Sequence, residues 1–214
     1  LNAQGIEGYD EMNLECQILK KAVNRACVKY ASTRDDFAML RNCYIENPEI
    51  VVRGVCDPAF WTAETYQIRK SSVDSKKVGL NVIRTKIFGE YMYKVNRKAL
   101  GEVYYEVIVK LSDAGYSVEL FSNGVDKDTV FIDWLLEQYP NLKSEYQVTV
   151  ANPVSTREFV ELLAGYDRFM AVRLHSAIVG TVLGVPNVSL VWNRKQILFG
   201  EQIGLRQNLI KKKK

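Results

Sequence analysis

Arginine and histidine stand two residues apart where an apolar strand gives way to a helix. The pattern predicts a strand over residues 168–172 and a helix over residues 176–183, with Arg173 and His175, the only histidine, between them. A guanidinium suits bidentate contact with a carboxylate or phosphate, histidine exchanges protons near neutral pH, and a helix N-terminus attracts anions. We therefore expect a site for a small acidic substrate here, with Ser176 at the helix start as a further binding residue. An isolated histidine is also often a hydrogen-bonded core residue, and that interpretation stays open.

The elements that must position this site alternate between strand and helix. A capping box at Ser155 and Glu158, for example, predicts where one of the helices begins. Because strands that alternate with helices form parallel sheets, we expect an α/β fold with a doubly wound sheet that binds its ligand at the carboxyl ends of the strands. The predicted strands are residues 77–83, 116–121, 146–150, 168–172 and 187–191, and the predicted helices are residues 90–113, 128–139, 155–164, 176–183 and 196–203.

The N-terminal third of the chain predicts a smaller unit. Its predicted elements are a helix over residues 10–24, a strand over 26–31, a capped helix over 36–42 and a strand over 50–56. The polar segment 62–77 has no strong periodicity and predicts a linker. We therefore place a domain boundary near residue 70, with an N-terminal domain remnant plus linker at 1–70 and a C-terminal domain at 71–214.

Composition narrows the class of protein. The chain has 214 residues, 47% hydrophobic and 25% charged, which is typical of a soluble globular protein of one or two domains. The net charge of +4 includes the terminal lysines 211–214, so basic charge gives no argument for nucleic acid. The four cysteines have no metal-ligand spacing, and they predict free thiols in a reducing compartment, the cytoplasm. We see no signal peptide or membrane anchor, and because the chain begins at Leu1 on what looks like the end of a strand, we expect further residues upstream.

Several short motifs, taken in order, resemble one known family. They are Asn2–Ile6, Ser32–Asp35, Asp57–Phe60, Val78–Val82, Arg173–His175, Gly184–Pro186 and Lys195. In this order they resemble the polysaccharide pyruvyl transferase family. The resemblance implies two Rossmann-like domains similar to B-type glycosyltransferases, the N-terminal one incomplete, with the active site in the crevice between them. It also implies transfer of pyruvate from phosphoenolpyruvate, as donor substrate and with no cofactor, onto two hydroxyls of a sugar as a ketal.

The reaction implied by this resemblance assigns roles to particular residues. His175 is the expected catalytic proton carrier, and Arg173, Arg84 and Lys195 are the expected partners of the donor's carboxylate and phosphate. Arg84 is equally interpreted as a solvated loop cation. Asp57 either faces the crevice or caps the turn that follows it. No metal is expected.

Two other functions remain open from the sequence. One is a glycosyltransferase with a nucleotide-sugar donor, although Glu119 and the loop 122–124 are poor candidates for binding a ribose and a diphosphate. The other is a non-catalytic fragment that keeps the fold as a binding module. The expected partners are phosphoenolpyruvate and a glycan acceptor, with no nucleic acid and no transmembrane segment, and with peripheral membrane association through a lipid-linked acceptor.

Overall fold

Residues near the N-terminus form a two-stranded parallel sheet. The computed structural model of the chain describes residues 2, 3, 5, 6, 8–70, 75–85, 95–124 and 126–210. The buried side chains of Val23, Ala31 and Tyr44 belong to the core of this small unit. Its elements are α1 (Leu14–Val23), β1 (Tyr30–Thr33), α2 (Phe37–Met39) with a following π-helical turn (Leu40–Tyr44), and β2 (Val51–Gly54), with β1 and β2 in parallel register.

The rest of the described chain forms a six-stranded, fully parallel sheet. The strand order is β5-β4-β3-β6-β7-β8, which is that of a Rossmann sheet with its switch point between β3 and β6. The strands are β3 (Lys77–Asn81), β4 (Ser117–Phe121), β5 (Thr149–Ala151), β6 (Arg168–Ala171), β7 (Asn187–Leu190) and β8 (Leu209–Ile210). The helices are α3 (Thr62–Tyr66), α4 (Arg97–Asp113), α5 (Asp126–Gln138), α6 (Asn141–Ser144), α7 (Thr156–Ala164), α8 (Leu174–Leu183) and α9 (Arg194–Gln202).

Helices cover both faces of this sheet. Met170 of β6 packs on the face that α4 and α5 cover, whereas its neighbours Phe169 and Ala171 pack on the face of α7 and α8. Strands buried on both faces read as continuous apolar runs rather than alternating ones. This explains why the segment Phe169–Val172 carries no polar residue.

Two glycines allow aromatic rings to lie against the backbone. A Cβ on Gly79 of β3 would come within 2.4 Å of the Tyr166 ring, and a Cβ on Gly180 of α8 within 2.3 Å of the Phe169 ring. Helix α8 therefore packs close to the sheet, which fixes the position of its first turn.

The observed elements match the predicted alternation, with differences at the boundaries. The strand predicted over residues 26–31 begins later, at Tyr30, because the chain makes a turn there in which the N–H of Val28 donates to the carbonyl of Arg25. The start of the helix predicted over residues 90–113 and the lysines 211–214 lie outside the described residues. The predicted capping box is present, since the Ser155 hydroxyl accepts from the N–H of Glu158 at 3.2 Å.

The segment predicted as a linker contains a helix. A 3₁₀ turn (Pro58–Trp61) leads directly into α3. The residue that follows this helix, Gln67, is its C-cap and has the left-handed conformation, with φ of 56°. Ala63 of α3 is buried against α7 and α8. A single helical turn is too short to show a 3.6-residue period, so the sequence pattern did not reveal it.

Candidate active site

A buried asparagine holds the two central strands together at the switch point. The side-chain carbonyl of Asn81, the last residue of β3, accepts from the N–H groups of Val172 and Arg173 at 3.1 and 3.0 Å. Its amide group donates to the side-chain carbonyl of Asn123 at 2.9 Å. Asn81 is fully buried, and its bonds fix the turn between β6 and α8 relative to β3 and β4.

Ser176 belongs to this buried network. Its hydroxyl lies 2.8 Å from the Asn123 side-chain oxygen and 3.2 Å from that of Asn81, and the residue is fully buried. Ser176 is therefore not among the residues that line the cleft, and it holds the first turn of α8 in place from inside the protein.

Arg173 forms an ion pair with a fully buried carboxylate. Its Nε and Nη2 contact Oδ2 of Asp128 at 2.8 and 2.5 Å, and the other oxygen of Asp128 accepts from the backbone N–H of Arg84 at 3.0 Å. Asp128 has no exposed surface, so it requires such a partner. Arg173 also lines the cleft, while Arg84 is outside the cleft lining.

His175, at the start of α8, meets two residues of the small sheet. Its Nε2 lies 3.3 Å from Nη1 of Arg34 and 3.6 Å from Oδ2 of Asp57, and the same Arg34 nitrogen lies 2.7 Å from that oxygen. Arg34 follows β1 and Asp57 lies three residues after β2. The carboxyl ends of both parallel sheets thus face each other, and this three-residue contact joins them.

Asp57 uses its two oxygens differently. Oδ1 accepts from the N–H of Ala59 at 2.9 Å and caps the 3₁₀ turn, whereas Oδ2 faces Arg34 and His175. Burial raises the pKa of Asp57, but contact with His175, the Ala59 N–H and the charge of Arg34 together outweigh it and lower that pKa below its ordinary value of 3.8. The cap considered for Asp57 is therefore present in the structure, while its other oxygen faces Arg34 and His175 rather than lining the cleft, and the carboxylate is ionised at neutral pH.

Buried polar atoms without hydrogen-bond partners concentrate at this edge. They include Nε of Arg34, Oδ2 of Asp35 and Oδ2 of Asp57, three of the four such side-chain atoms in the described part of the chain. Unsatisfied buried groups are rare in folded proteins and are a common feature of functional sites.

A cleft of about 920 Å³ opens in front of His175. Its charged lining residues are Arg34, Arg173 and Lys195, and no aspartate or glutamate contributes to the lining in the described ranges. The N-terminal ends of three helices also contribute to the wall: α7 through Thr156, α8 through Leu174, and α9 through Lys195. Helix N-termini carry partial positive charge, so the cleft favours anions.

The sequence identified part of this site. The structure brings His175, Arg173 and Lys195 to one cleft, while Ser176 and the side chain of Arg84 lie outside its lining. Sequence reasoning missed Arg34 as a site residue. The available signal was its position at the end of a strand: Arg34 directly follows β1, and Arg173 lies two residues after β6.

The described residues hold neither a metal-ion cluster nor a helix that could span a membrane. No group of three or more histidine, cysteine, aspartate or glutamate residues there is placed to bind a metal ion. Within the same ranges, no helix combines the length and the apolar character needed to cross a bilayer.

The fold defines an α/β protein with Rossmann-like topology, and its described cleft lies at the carboxyl ends of parallel strands. The structure is similar to that of UDP-GlcNAc 2-epimerase from Methanocaldococcus jannaschii, solved with UDP-GlcNAc and UDP, with a TM-score of 0.57, 14% identity, and coverage of 86% of this chain and 50% of that chain. Residues 1–194 match the model of the polysaccharide pyruvyl transferase family, and the chain belongs to that family.

One relative matches part of the chain. The chain is 31% identical over 105 residues to the amylovoran biosynthesis protein AmsJ of Erwinia amylovora. The aligned region covers 47% of this chain and 25% of that protein. The chain thus spans half or less of the two proteins it is compared with here.

Proposed function

We propose that this protein transfers pyruvate from phosphoenolpyruvate onto two hydroxyls of a glycan sugar, forming a ketal in the cleft in front of His175. The observation that carries this proposal is the charge of the cleft: its described lining contains three cations, a histidine and no carboxylate. Membership of the polysaccharide pyruvyl transferase family supports the same reaction.

Phosphoenolpyruvate fits the charges of the cleft. It carries a carboxylate and a phosphate, and each group needs a cation or an array of N–H donors. Arg173 offers the guanidinium edge that Asp128 leaves available, and Lys195 lies at the start of α9 on the same wall. We assign donor binding to these two residues, with Arg34 as a third cation close to His175.

His175 supplies the proton chemistry of the proposed reaction. A protonated ring donates its proton to the methylene carbon of phosphoenolpyruvate, which becomes a methyl group, and the first sugar hydroxyl attacks the neighbouring carbon. The proton of that hydroxyl returns to the ring. The bond to the phosphate oxygen then breaks, the second hydroxyl closes the ketal, and its proton leaves with the phosphate. A positioned acid and base of this kind contributes roughly 10²- to 10⁴-fold to the rate.

The open wall of the cleft leaves room for the acceptor. Thr62, Tyr66 and Phe159 line it without adding charge, which suits a neutral sugar ring. The acceptor glycan is a proposal, and a lipid-linked acceptor remains the expected route to membrane association. A nucleotide-sugar donor fits less well, because ribose recognition commonly uses an acidic residue and the described lining has none.

Titration calorimetry of the full chain with phosphoenolpyruvate tests the donor. We expect saturable binding and an increase in Tm, since a molecule that binds the folded state raises its stability. UDP-GlcNAc and inorganic phosphate are the comparison compounds. Binding of UDP-GlcNAc with none of phosphoenolpyruvate would replace pyruvyl transfer by glycosyl transfer.

Two substitutions then locate the site. Lys195→Gln should weaken phosphoenolpyruvate binding, whereas Lys98→Gln, which removes an exposed lysine from α4, should leave the affinity unchanged. His175→Asn should keep the affinity within a few-fold and abolish ketal formation. Equal effects of the two lysine substitutions would place the donor outside this cleft.

A further inference from the structure

The one histidine of the chain has two nitrogens in different surroundings. Nε2 points at Arg34 and Asp57, whereas Nδ1 has no protein partner among the described residues, and the side chain as a whole is 52% exposed. Only one of the two nitrogens is therefore open to a substrate in the cleft.

Arg34 and Asp57 suit different protonation states of Nε2. In the neutral ring, a bare Nε2 accepts from Nη1 of Arg34 at 3.3 Å. In the protonated ring, Nε2 carries a hydrogen that Arg34 cannot accept, because a guanidinium has no acceptor. The adjacent acceptor is Oδ2 of Asp57 at 3.6 Å, a buried carboxylate oxygen that also pairs with Nη1 of Arg34 at 2.7 Å.

The charges around the ring favour the pairing of Asp57 with the protonated ring and of Arg34 with the neutral ring. Asp57 is the carboxylate within ion-pair distance of the ring, and it is 7% exposed, so its attraction for a protonated ring is weakly screened. The cations around the ring are Arg34 from the small sheet, Arg173 beside it on the same turn, and Lys195 across the cleft. Asp35 also lies behind Arg34, in the small pocket that it shares with Asp57.

We propose that Asp57 is a positioning residue that holds Nε2–H of the protonated His175 ring, while Arg34 donates to the bare Nε2 of the neutral ring in the resting protein, so that Nδ1 is the atom that exchanges protons with the substrates. The proposed reaction starts from the protonated ring and Nε2–H stays on Asp57 throughout, so the neutral ring that forms during turnover carries its hydrogen on Nε2. Nδ1–H leaves to the methylene carbon, and Nδ1 then takes the proton of the attacking hydroxyl. A carboxylate that fixes the tautomer of a catalytic histidine in this way has a precedent in serine proteases. The catalytic part of this inference rests on the proposed function, but the pairing of Nε2 does not.

The unique histidine allows a direct measurement. With ¹⁵N-labelled histidine, the ring nitrogens of His175 give one pair of NMR signals that report which nitrogen carries hydrogen, without any substrate. We expect the neutral ring of the wild type to carry its hydrogen on Nδ1. Arg34→Met should shift that hydrogen to Nε2, because Asp57 then remains as an acceptor without a competing donor.

The Asp57→Asn variant distinguishes a role of Asp57 in positioning the His175 ring from its role in capping the turn at Ala59. Asparagine keeps the side-chain oxygen that caps the turn at Ala59 but replaces the acceptor that faces Nε2. The NMR titration midpoint of the ring should move to lower pH in Asp57→Asn and to higher pH in Arg34→Met. Asp36→Asn is the matched control, since Asp36 pairs with Arg194 across the same two units without contacting His175, and it should move neither the tautomer nor the midpoint.

The kinetic consequence is tested separately. If ketal formation is established, Asp57→Asn should lower kcat by roughly 10²- to 10⁴-fold while KM for phosphoenolpyruvate stays within a few-fold. A wild-type neutral ring with hydrogen on Nε2, or a titration that neither Asp57→Asn nor Arg34→Met moves, would overturn the pairing. A protein that shows the expected NMR behaviour but binds no phosphoenolpyruvate would instead overturn the proposed function and leave the pairing intact.

Discussion

At the scale of single residues, the site depends on carboxylates that keep cations and histidine in place. Asp57 faces Arg34 and His175, and Asp128 faces Arg173. Both carboxylates are buried while their partners reach the cleft. Each pair thus leaves a positively charged or proton-carrying group at the surface where an anionic substrate would bind.

The lowered pKa of Asp57 predicts a pH-dependent stability. A carboxylate with a lower pKa in the folded than in the unfolded state stabilises the fold above its unfolded pKa, and the contribution is lost as pH falls through the folded pKa. Wild type should therefore be more stable than Asp57→Asn at pH 7. The difference in free energy of unfolding, measured with urea, should shrink as the pH falls below about 4. A difference that is constant with pH would contradict the ion pairing of Asp57.

The two contacts that the Arg173 guanidinium makes with Asp128 predict that lysine is a poor replacement for Arg173. Arg173→Lys keeps a positive charge beside buried Asp128, so the fold should survive, with circular dichroism unchanged. A single ammonium cannot contact Asp128 and an anionic substrate with two separate planar edges. We expect the affinity for phosphoenolpyruvate, measured by calorimetry, to fall by about tenfold, a loss of about 1.4 kcal/mol. Wild-type affinity in this variant would show that Arg173 acts only as a packing or field charge.

Residue type and chain position predicted Arg173 and His175 as site residues, and the family resemblance added Lys195; all three line the cleft, but their partners were not predicted. Arg34 and His175 are 141 positions apart, and their contact depends on how the two sheets face each other, which no local pattern encodes. Ser176 shows the opposite case. Its place at a helix start suggested ligand binding, whereas its hydroxyl contacts the side chains of Asn81, at the end of β3, and of Asn123, in the loop after β4.

At the scale of elements, long apolar strands and long helices were predicted well because their periodicity extends over several turns or pleats. Some short elements were missed: α3 has five residues and β8 has two. A short edge strand such as β8 carries too few residues for a hydrophobic pattern. Its position in the sheet depends on pairing with β7, which only the assembled sheet provides.

Gly180 tests the close packing of α8 on the sheet. Gly180→Ala would gain about 1 kcal/mol of helix propensity. Its Cβ, however, would lie 2.3 Å from two atoms of the buried Phe169 ring, and overpacking of this kind costs about 1–3 kcal/mol. Because the contact is so short, we expect a net loss of about 2 kcal/mol in the free energy of unfolding, measured by denaturant titration.

The control for this substitution is another glycine with space around it. A Cβ on Gly54 would come no closer than 3.8 Å to Phe37, an ordinary contact. Gly54→Ala should therefore change stability by no more than about 0.5 kcal/mol. Equal effects of the two substitutions would mean that α8 does not need to approach Phe169 as closely as the structure shows.

At the scale of the whole molecule, the chain crosses from the small sheet to the large one soon after β2. Phe60 and Ala63 pack in the core beside α8, and the N–H of Lys70 donates to the carbonyl of Leu183 at 3.0 Å. The boundary near residue 70 was predicted because the segment 62–77 is polar. The composition of a segment does not show which residues it contacts in the fold. These contacts of Phe60, Ala63 and Lys70 are all with the C-terminal unit, so we propose a boundary near residue 57 as the alternative to one near residue 70.

This packing predicts that two truncations behave differently. A fragment of residues 57–214 keeps the 3₁₀ turn and α3, whereas residues 71–214 alone would expose the surfaces of Ile178 and Phe199 that face them. Exposed apolar surface destabilises the folded state by about 25 cal/mol per Å². We expect the fragment 71–214 to unfold at a Tm several degrees lower and to bind a hydrophobic dye at room temperature, while 57–214 melts cooperatively without binding it. Equal Tm values for the two fragments would show that residues 57–70 are a linker, as composition alone suggests.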